Sequence, residues 1–271
     1  MKDSPAATML RWSGRLLVAA ILLFVLLPGL VVAVTAFNDR AILAFPPQAW
    51  SLRWFWRALS YDDFGRGFWN GLTVTTWASS IALVVGAAFA LAIHRYNFVL
   101  KPLLNGILLS PLIIPHYTIG LGVLILASQT GAGRGFSLVI LTHVVLVLPF
   151  VMRSTFISLE NLDSRLELAA SSLGATPGRI LVTVTIPLLL PGLLSGWLFA
   201  AILSFNEFTA TLFVSSQATQ TLPVAMYNYV REFADPTLAA LSVIYIAVTA
   251  LLLSVANICL GLGKILDVDA H

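Results

Sequence analysis

Long apolar runs separated by short charged stretches dominate the sequence, and a helix crossing the hydrocarbon layer of a bilayer needs about 20 such residues. The runs predict spans at about 16–38, 69–93, 103–127, 136–158, 186–207 and 237–263. The uncharged run from Pro102 to Gly133 is too long for one ordinary span, and its tail, Ser128 to Gly133, is rich in turn formers, so it reads as one span followed by a loop. From Phe136 to about Ser158 the only charge is Arg153, near the end, where a long side chain can snorkel toward the headgroups. Val34-Thr35-Ala36 would pass as a signal-peptidase site, but the uncharged run before it exceeds the 7–15 residues of a secretory h-region, which favours an uncleaved anchor. The expectation is an all-α polytopic membrane protein of about six transmembrane helices, a single domain over residues 1–271.

Composition agrees: 59% of the residues are hydrophobic and 10% charged, where a soluble domain carries about 25% charged residues. The net charge of +3 and pI near 9.2 do not indicate nucleic acid, because the basic residues are scattered through loops rather than gathered on one element. They orient the chain instead. With both termini cytoplasmic, Lys2, Arg11, Arg15, Arg95, Lys101, Arg153, Arg165, Arg179 and Lys264 fall inside, against Arg40, Arg53, Arg57, Arg66, Arg134 and Arg231 outside. Cys259 is the only cysteine, which removes an intramolecular disulfide and leaves almost nothing for metal or redox chemistry.

Two connections are long. The external one, Asn38 to Arg66, carries Trp50, Trp54, Trp56 and Tyr61, amphipathic aromatics that read as a collar at the membrane interface. The cytoplasmic one, about 159–185, holds a stronger pattern. Ser164-Arg165-Leu166-Glu167 has the form of a capping box. Leu162, Leu166, Ala169, Ala170 and Leu173 then fall on one stripe, Gly174 suits a left-handed helix end, and Thr176-Pro177 supplies a cap and first-turn proline for a second short helix. Such a stripe must be buried, either on a partner protein or on the chain's own spans.

This loop resembles the signature of the inner-membrane subunits of binding-protein-dependent ABC importers, which reads Glu-Ala-Ala, three residues, Gly, nine residues, Ile, one residue, Leu-Pro. Ala169, Ala170, Gly174, Val184, Ile186 and Pro187 occupy matching places, with Leu173 beside the glycine; Leu168 stands where the family has Glu, and Glu167 lies one residue earlier. The likeness is closest to the second permease of spermidine/putrescine-type transporters, through Phe37-Asn38, His94-Arg95-Tyr96, Ser110-Pro111, Leu148-Pro149-Phe150 and Thr221-Leu222-Pro223 with Tyr227. The resemblance implies the type I importer permease fold, with the helix pair seated on an ATPase through Glu167, Leu168, Ala169, Ala170, Leu173, Gly174 and Pro187. It also implies a bacterial inner-membrane location and a heterodimer with a second permease. Two ATP-binding subunits that carry ATP and Mg, an external solute-binding protein and no cofactor in this chain complete the picture.

A carboxylate within a span costs about 2.5–3.5 kcal/mol on insertion scales, so Glu207 at the end of the fifth span needs an explanation. The family resemblance places Asn206 and Glu207 where related subunits carry an acidic pair, and the expectation is that both face the path of a cationic solute; an interfacial Glu that pairs with Arg231 or caps a helix is the plainer reading. From Phe208 to Val230 the chain is uncharged, yet Ser215 to Thr221 is too polar to face lipid, which predicts a re-entrant segment or lid with Pro223, Tyr227 and Tyr229 near an outer gate, or an ordinary external loop. His116 and His143 read as residues that satisfy backbone carbonyls freed by neighbouring prolines. A membrane enzyme would need a constellation that is missing, such as His-Glu-x-x-His or Gly-x-Ser-x-Gly. A secondary transporter would need more buried ionisable groups and would leave the cytoplasmic helix pair unexplained.

Overall fold

A computed structural model describes residues 5–42 and 44–260. The elements in order are α1 (Pro5–Thr35), α2 (Arg53–Ser60), α3 (Asp62–Arg95), α4 (Lys101–Leu109) with a 3-10 turn at Ser110–Leu112, α5 (His116–Thr130) and α6 (Phe136–Glu160). They continue with α7 (Ser164–Ser172), α8 (Pro177–Ile180), a π-helical turn at Leu181–Thr185, α9 (Ile186–Phe205), α10 (Thr211–Val214), α11 (Leu222–Glu232) and α12 (Thr237–Leu260). The fold is all-α: among the described residues the only strand-like feature is an isolated bridge between Asn38 and Trp50.

Among the described residues four helical stretches are long and apolar enough to cross a bilayer, namely Arg11–Thr35, Asp62–Arg95, Phe136–Glu160 and Pro177–Phe205. The segment expected as a single span at 103–127 is instead broken. Lys101–Leu112 and His116–Thr130 meet at 107°. The reason is local: Pro111 sits in the 3-10 turn and Pro115 is extended with ψ 136°, so neither the hydrogen-bond ladder nor the backbone can continue as one helix. The described apolar part of α12 is Thr237–Leu251, and the expected end of that span at 263, with Lys264, lies outside the described residues.

The chain's contacts divide into two compact units, one drawn from Met1–Asp62 and Asn228–Leu251, the other from Asp63–Tyr227 and Leu252–His271. In the first, α1 exposes apolar side chains along its length, as a helix solvated by lipid does. Trp54 departs from the expected interfacial collar. It is buried against Ala36, Ala239 and Ala240, and its indole N–H donates to the Asn38 carbonyl at 2.6 Å, while Trp50 and Trp56 remain exposed.

In the second unit α6 and α9 pack along small residues. A Cβ on Gly196 would lie 3.0 Å from the Ser154 Cβ, and the Ser154 hydroxyl donates to the Gly192 carbonyl at 2.9 Å. Gly192, Gly196 and Ala200 recur every four residues, the small-residue spacing that lets helices approach closely where lipid supplies no hydrophobic drive. Buried clusters around Ala90, Met152 and Leu189, and around Ala82, Val151 and Ala200, join α3 to this pair.

Candidate functional site

Glu207 follows α9 directly, and both of its carboxylate oxygens are engaged. Oε1 accepts the Ala210 N–H at 2.7 Å, and Oε2 lies 2.7 Å from His116 Nδ1. Its side chain is 9% exposed against 45% for His116. Glu207 therefore pairs with His116 and accepts a main-chain N–H three residues on, as a cap does, and His116 does not serve a freed carbonyl as its sequence context suggested.

The broken third segment builds this meeting. The bend at Pro115 makes His116 the first residue of α5, where the helix dipole favours a carboxylate nearby. Gly120, one turn later, lets α5 touch the backbone after Glu207: a Cβ there would lie 2.7 Å from the Ala210 Cα. Real Cβ contacts are never that short, so only glycine permits the approach.

His143 lies behind the pair and is wholly buried. Its ring nitrogens lie 2.8 Å from the Ser204 and Thr211 hydroxyls, and Thr211 in turn donates to the Glu207 carbonyl at 3.1 Å. Since the Thr211 hydrogen goes to that carbonyl, His143 Nε2–H donates to Thr211 and Nδ1 accepts from Ser204. This too replaces the expected bond to a backbone carbonyl. A cavity of about 170 Å³ opens beside these groups, lined by His116, His143, Phe150, Ser204, Asn206 and Glu207 together with aliphatic side chains.

Asn206 and Glu207 are thus brought together, whereas Tyr227 does not line this cavity and packs its ring 5.2 Å from that of Phe208. Tyr229 is buried in the first unit and donates to the Asp235 carboxylate at 3.1 Å; burial pushes its phenol above the ordinary value, and Asp235 adds to the rise. The polar stretch before α11 is ordered and buried at Ser215, Thr219, Gln220 and Thr221. The Asn70 amide donates to the Ala218 and Gln220 carbonyls, both at 3.0 Å, so the segment packs on α3 rather than forming a free loop.

The helix pair α7 and α8 forms the second candidate site. Asp163, not Ser164, is the N-cap of α7, accepting the Arg165 N–H at 2.9 Å. Glu167 is free of the capping role because it is bound elsewhere: its carboxylate accepts from the Arg95 guanidinium and from the Thr185 hydroxyl. That junction ties α7 to the last residue of α3 and to the π-helical turn leading into α9, which Pro187 opens.

Gly174, at φ +83°, ends the helix: its N–H bonds the Ser171 carbonyl at 2.9 Å and the Ala175 N–H bonds that of Ala170 at 3.1 Å, a Schellman closure. No residue of α7 is buried, and Leu166, Leu168 and Leu173 are exposed, the last at 89%. The stripe does not pack on the chain's own spans. Ala169 shares that exposure and Ala170 is half-buried. Among the described residues no group of His, Cys, Asp or Glu could hold a metal ion.

Arg95, Thr185, Gly120 and Thr211 escape a reading of the sequence. Arg95 lies 72 residues from Glu167, and it showed only as an inside charge and as part of the His94-Arg95-Tyr96 likeness, not as a partner of Glu167. A glycine inside an apolar segment carries no mark of which backbone it will meet.

Comparison with known proteins places these features. Residues 82–261 match the family described as binding-protein-dependent transport system inner membrane component. The chain is 29% identical over 236 residues to the spermidine/putrescine transport system permease protein PotC of Haemophilus influenzae, covering 87% of this chain and 91% of the relative. It is 38% identical over 176 residues to the molybdenum transport system permease protein ModB of the same organism, covering 59% of this chain and 76% of the relative. In fold it is similar to a chain of a bacterial ABC transporter involved in the import of the acidic polysaccharide alginate, with a TM-score of 0.70 at 15% identity over 94% of this chain and 98% of that one.

Proposed function

The chain belongs to the binding-protein-dependent transport system inner membrane components, and from that premise we propose that it forms half of the translocation path for a polyamine such as spermidine or putrescine. It is an inner-membrane permease subunit of an ABC importer. The finer reading is a single permease domain over 1–271 of about six spans, the third of them broken, with both termini in the cytoplasm and lipid around it. It pairs with a second, different permease. Two ATP-binding subunits that hold ATP and Mg seat on α7 and α8, and an external solute-binding protein delivers the solute. Chemistry stays on those ATPases, and this chain works without catalysis.

The observation that carries the reading is the exposed α7 helix anchored by Glu167. An apolar surface in water is unfavourable by about 25 cal/mol per Å², and Leu166 and Leu173 gain from a partner seated there. Its anchors on α3 and on the turn before α9 let a movement of the partner reach the helix that ends two residues before Glu207. For the solute, the support is a carboxylate beside a cavity whose lining holds no Lys or Arg. Such a lining suits an ammonium group and disfavours an oxyanion.

The test is ATP-driven uptake into proteoliposomes containing the complete transporter, offered labelled spermidine, putrescine and molybdate in turn. Saturable accumulation of a polyamine, with ATPase stimulation by the loaded binding protein, is the expected result. Accumulation of molybdate alone would overturn the solute, and uptake that survives loss of the ATP-binding subunits would overturn the transporter class.

A further inference from the structure

The pairing at Glu207 is asymmetric. One oxygen is held by the Ala210 main chain, which cannot leave without undoing the turn after α9. The other is held by a side chain that is nearly half exposed and sits on the first residue of a helix starting at a 107° break. Of the two contacts, only the imidazole can rotate away. His143 cannot take its place, because both of its nitrogens are committed to Ser204 and Thr211 in a fully buried network.

We propose that His116 is the resident partner of Glu207, occupying its carboxylate until the cationic head of the solute replaces it. The proposal rests on the reading of the solute as a cation. Three features support the exchange. The cavity of about 170 Å³ borders both residues, and at about 30 Å³ per water it has room for about six heavy atoms, enough for an ammonium and the methylenes that follow it. The Phe150 ring in its wall can face a cation, a contact worth about 0.5–2 kcal/mol. Filling Glu207 with an internal donor also spares the protein a buried, unpaired carboxylate between transport events. The strength of the His116 contact thus helps set how readily a solute enters.

Uptake kinetics in proteoliposomes, with wild type, His116→Gln, His116→Lys, Glu207→Gln and the His116→Lys/Glu207→Gln double variant, test the exchange. The wild-type arm separates the two ideas: if it moves molybdate and no polyamine, the solute reading fails and takes the exchange with it. If it moves polyamine, the variants judge His116 alone. A weaker donor in His116→Gln lowers KM about threefold or more with Vmax retained. A fixed ammonium in His116→Lys competes with the solute and raises KM about tenfold or more, and it adds nothing once Glu207 is already Gln. Co-purification of each variant with its partner subunits checks assembly. Assembled His116→Gln and His116→Lys with wild-type KM would overturn the proposal, as would equal Vmax losses in both with KM unmoved, the mark of a merely structural histidine.

Discussion

Two carboxylates, Glu167 and Glu207, each join elements far apart in sequence, yet they do so in different surroundings. Glu167 meets a guanidinium and a hydroxyl at the end of the helices, with a quarter of its side chain exposed. Glu207 meets an imidazole and a main-chain N–H, with 9% exposed. Water can replace a lost partner at the first site and hardly at the second. The two junctions therefore have opposite design logic. A solvated ion pair contributes little and is easily replaced by water, whereas a buried carboxylate is costly unless it is filled.

The largest effect is expected where burial is greatest. Glu207→Ala leaves the buried Ala210 N–H without its acceptor, at a cost of about 1–3 kcal/mol, and removes the carboxylate proposed to receive the solute, so polyamine uptake should fall roughly tenfold or more. If uptake persisted within twofold of wild type, Glu207 would be no more than a structural plug. Next comes Gly120→Ala, which forces α5 away from Ala210. Overpacking of this kind costs about 1–3 kcal/mol, to be read as a lower thermal midpoint of the purified complex together with reduced uptake. Unchanged melting would mean that the close approach does not constrain the site.

Glu167→Ala should cost only about 1 kcal/mol of stability, since water reaches the junction. Its signature is coupling: more ATP hydrolysed per solute carried, with solute KM unchanged. An altered KM would erase the distinction between the two carboxylates. The smallest effect is expected for Thr185→Val, which removes a hydroxyl that donates to Glu167 and accepts from Arg95 at 3.1 Å but leaves the ion pair itself, at about 0.5 kcal/mol. A double-mutant cycle with Glu167→Ala should show that its effect shrinks once the carboxylate is gone, and full additivity would mean that Thr185 does not act through Glu167.

Much of the α7–α8 pair was legible because its signals are local. Gly174 ends α7 as its sequence context implied, and the exposure of Leu173 follows from a stripe with no partner within the chain. Even there the cap was misassigned to Ser164, because Asp163 competes for the same N–H groups and Glu167 had a stronger partner than its own backbone. The membrane site was legible only as one residue. Glu207 stood out as an acid near a span, while His116 and His143 looked like ordinary repairs of proline-broken helices.

The sequence alone determined the solvent, the apolar helices, the all-α class and the helix pair with its glycine stop, because hydropathy, capping and turn preferences act within a few turns of helix. Only the tertiary structure decided which groups meet. His116 reaches Glu207 across 91 residues because Pro115 bends the third segment and Gly120 lets it touch the turn after α9. Neither requirement is visible in any window of sequence, since a side chain's partner depends on how closely two backbones pack, and packing is settled by the whole fold.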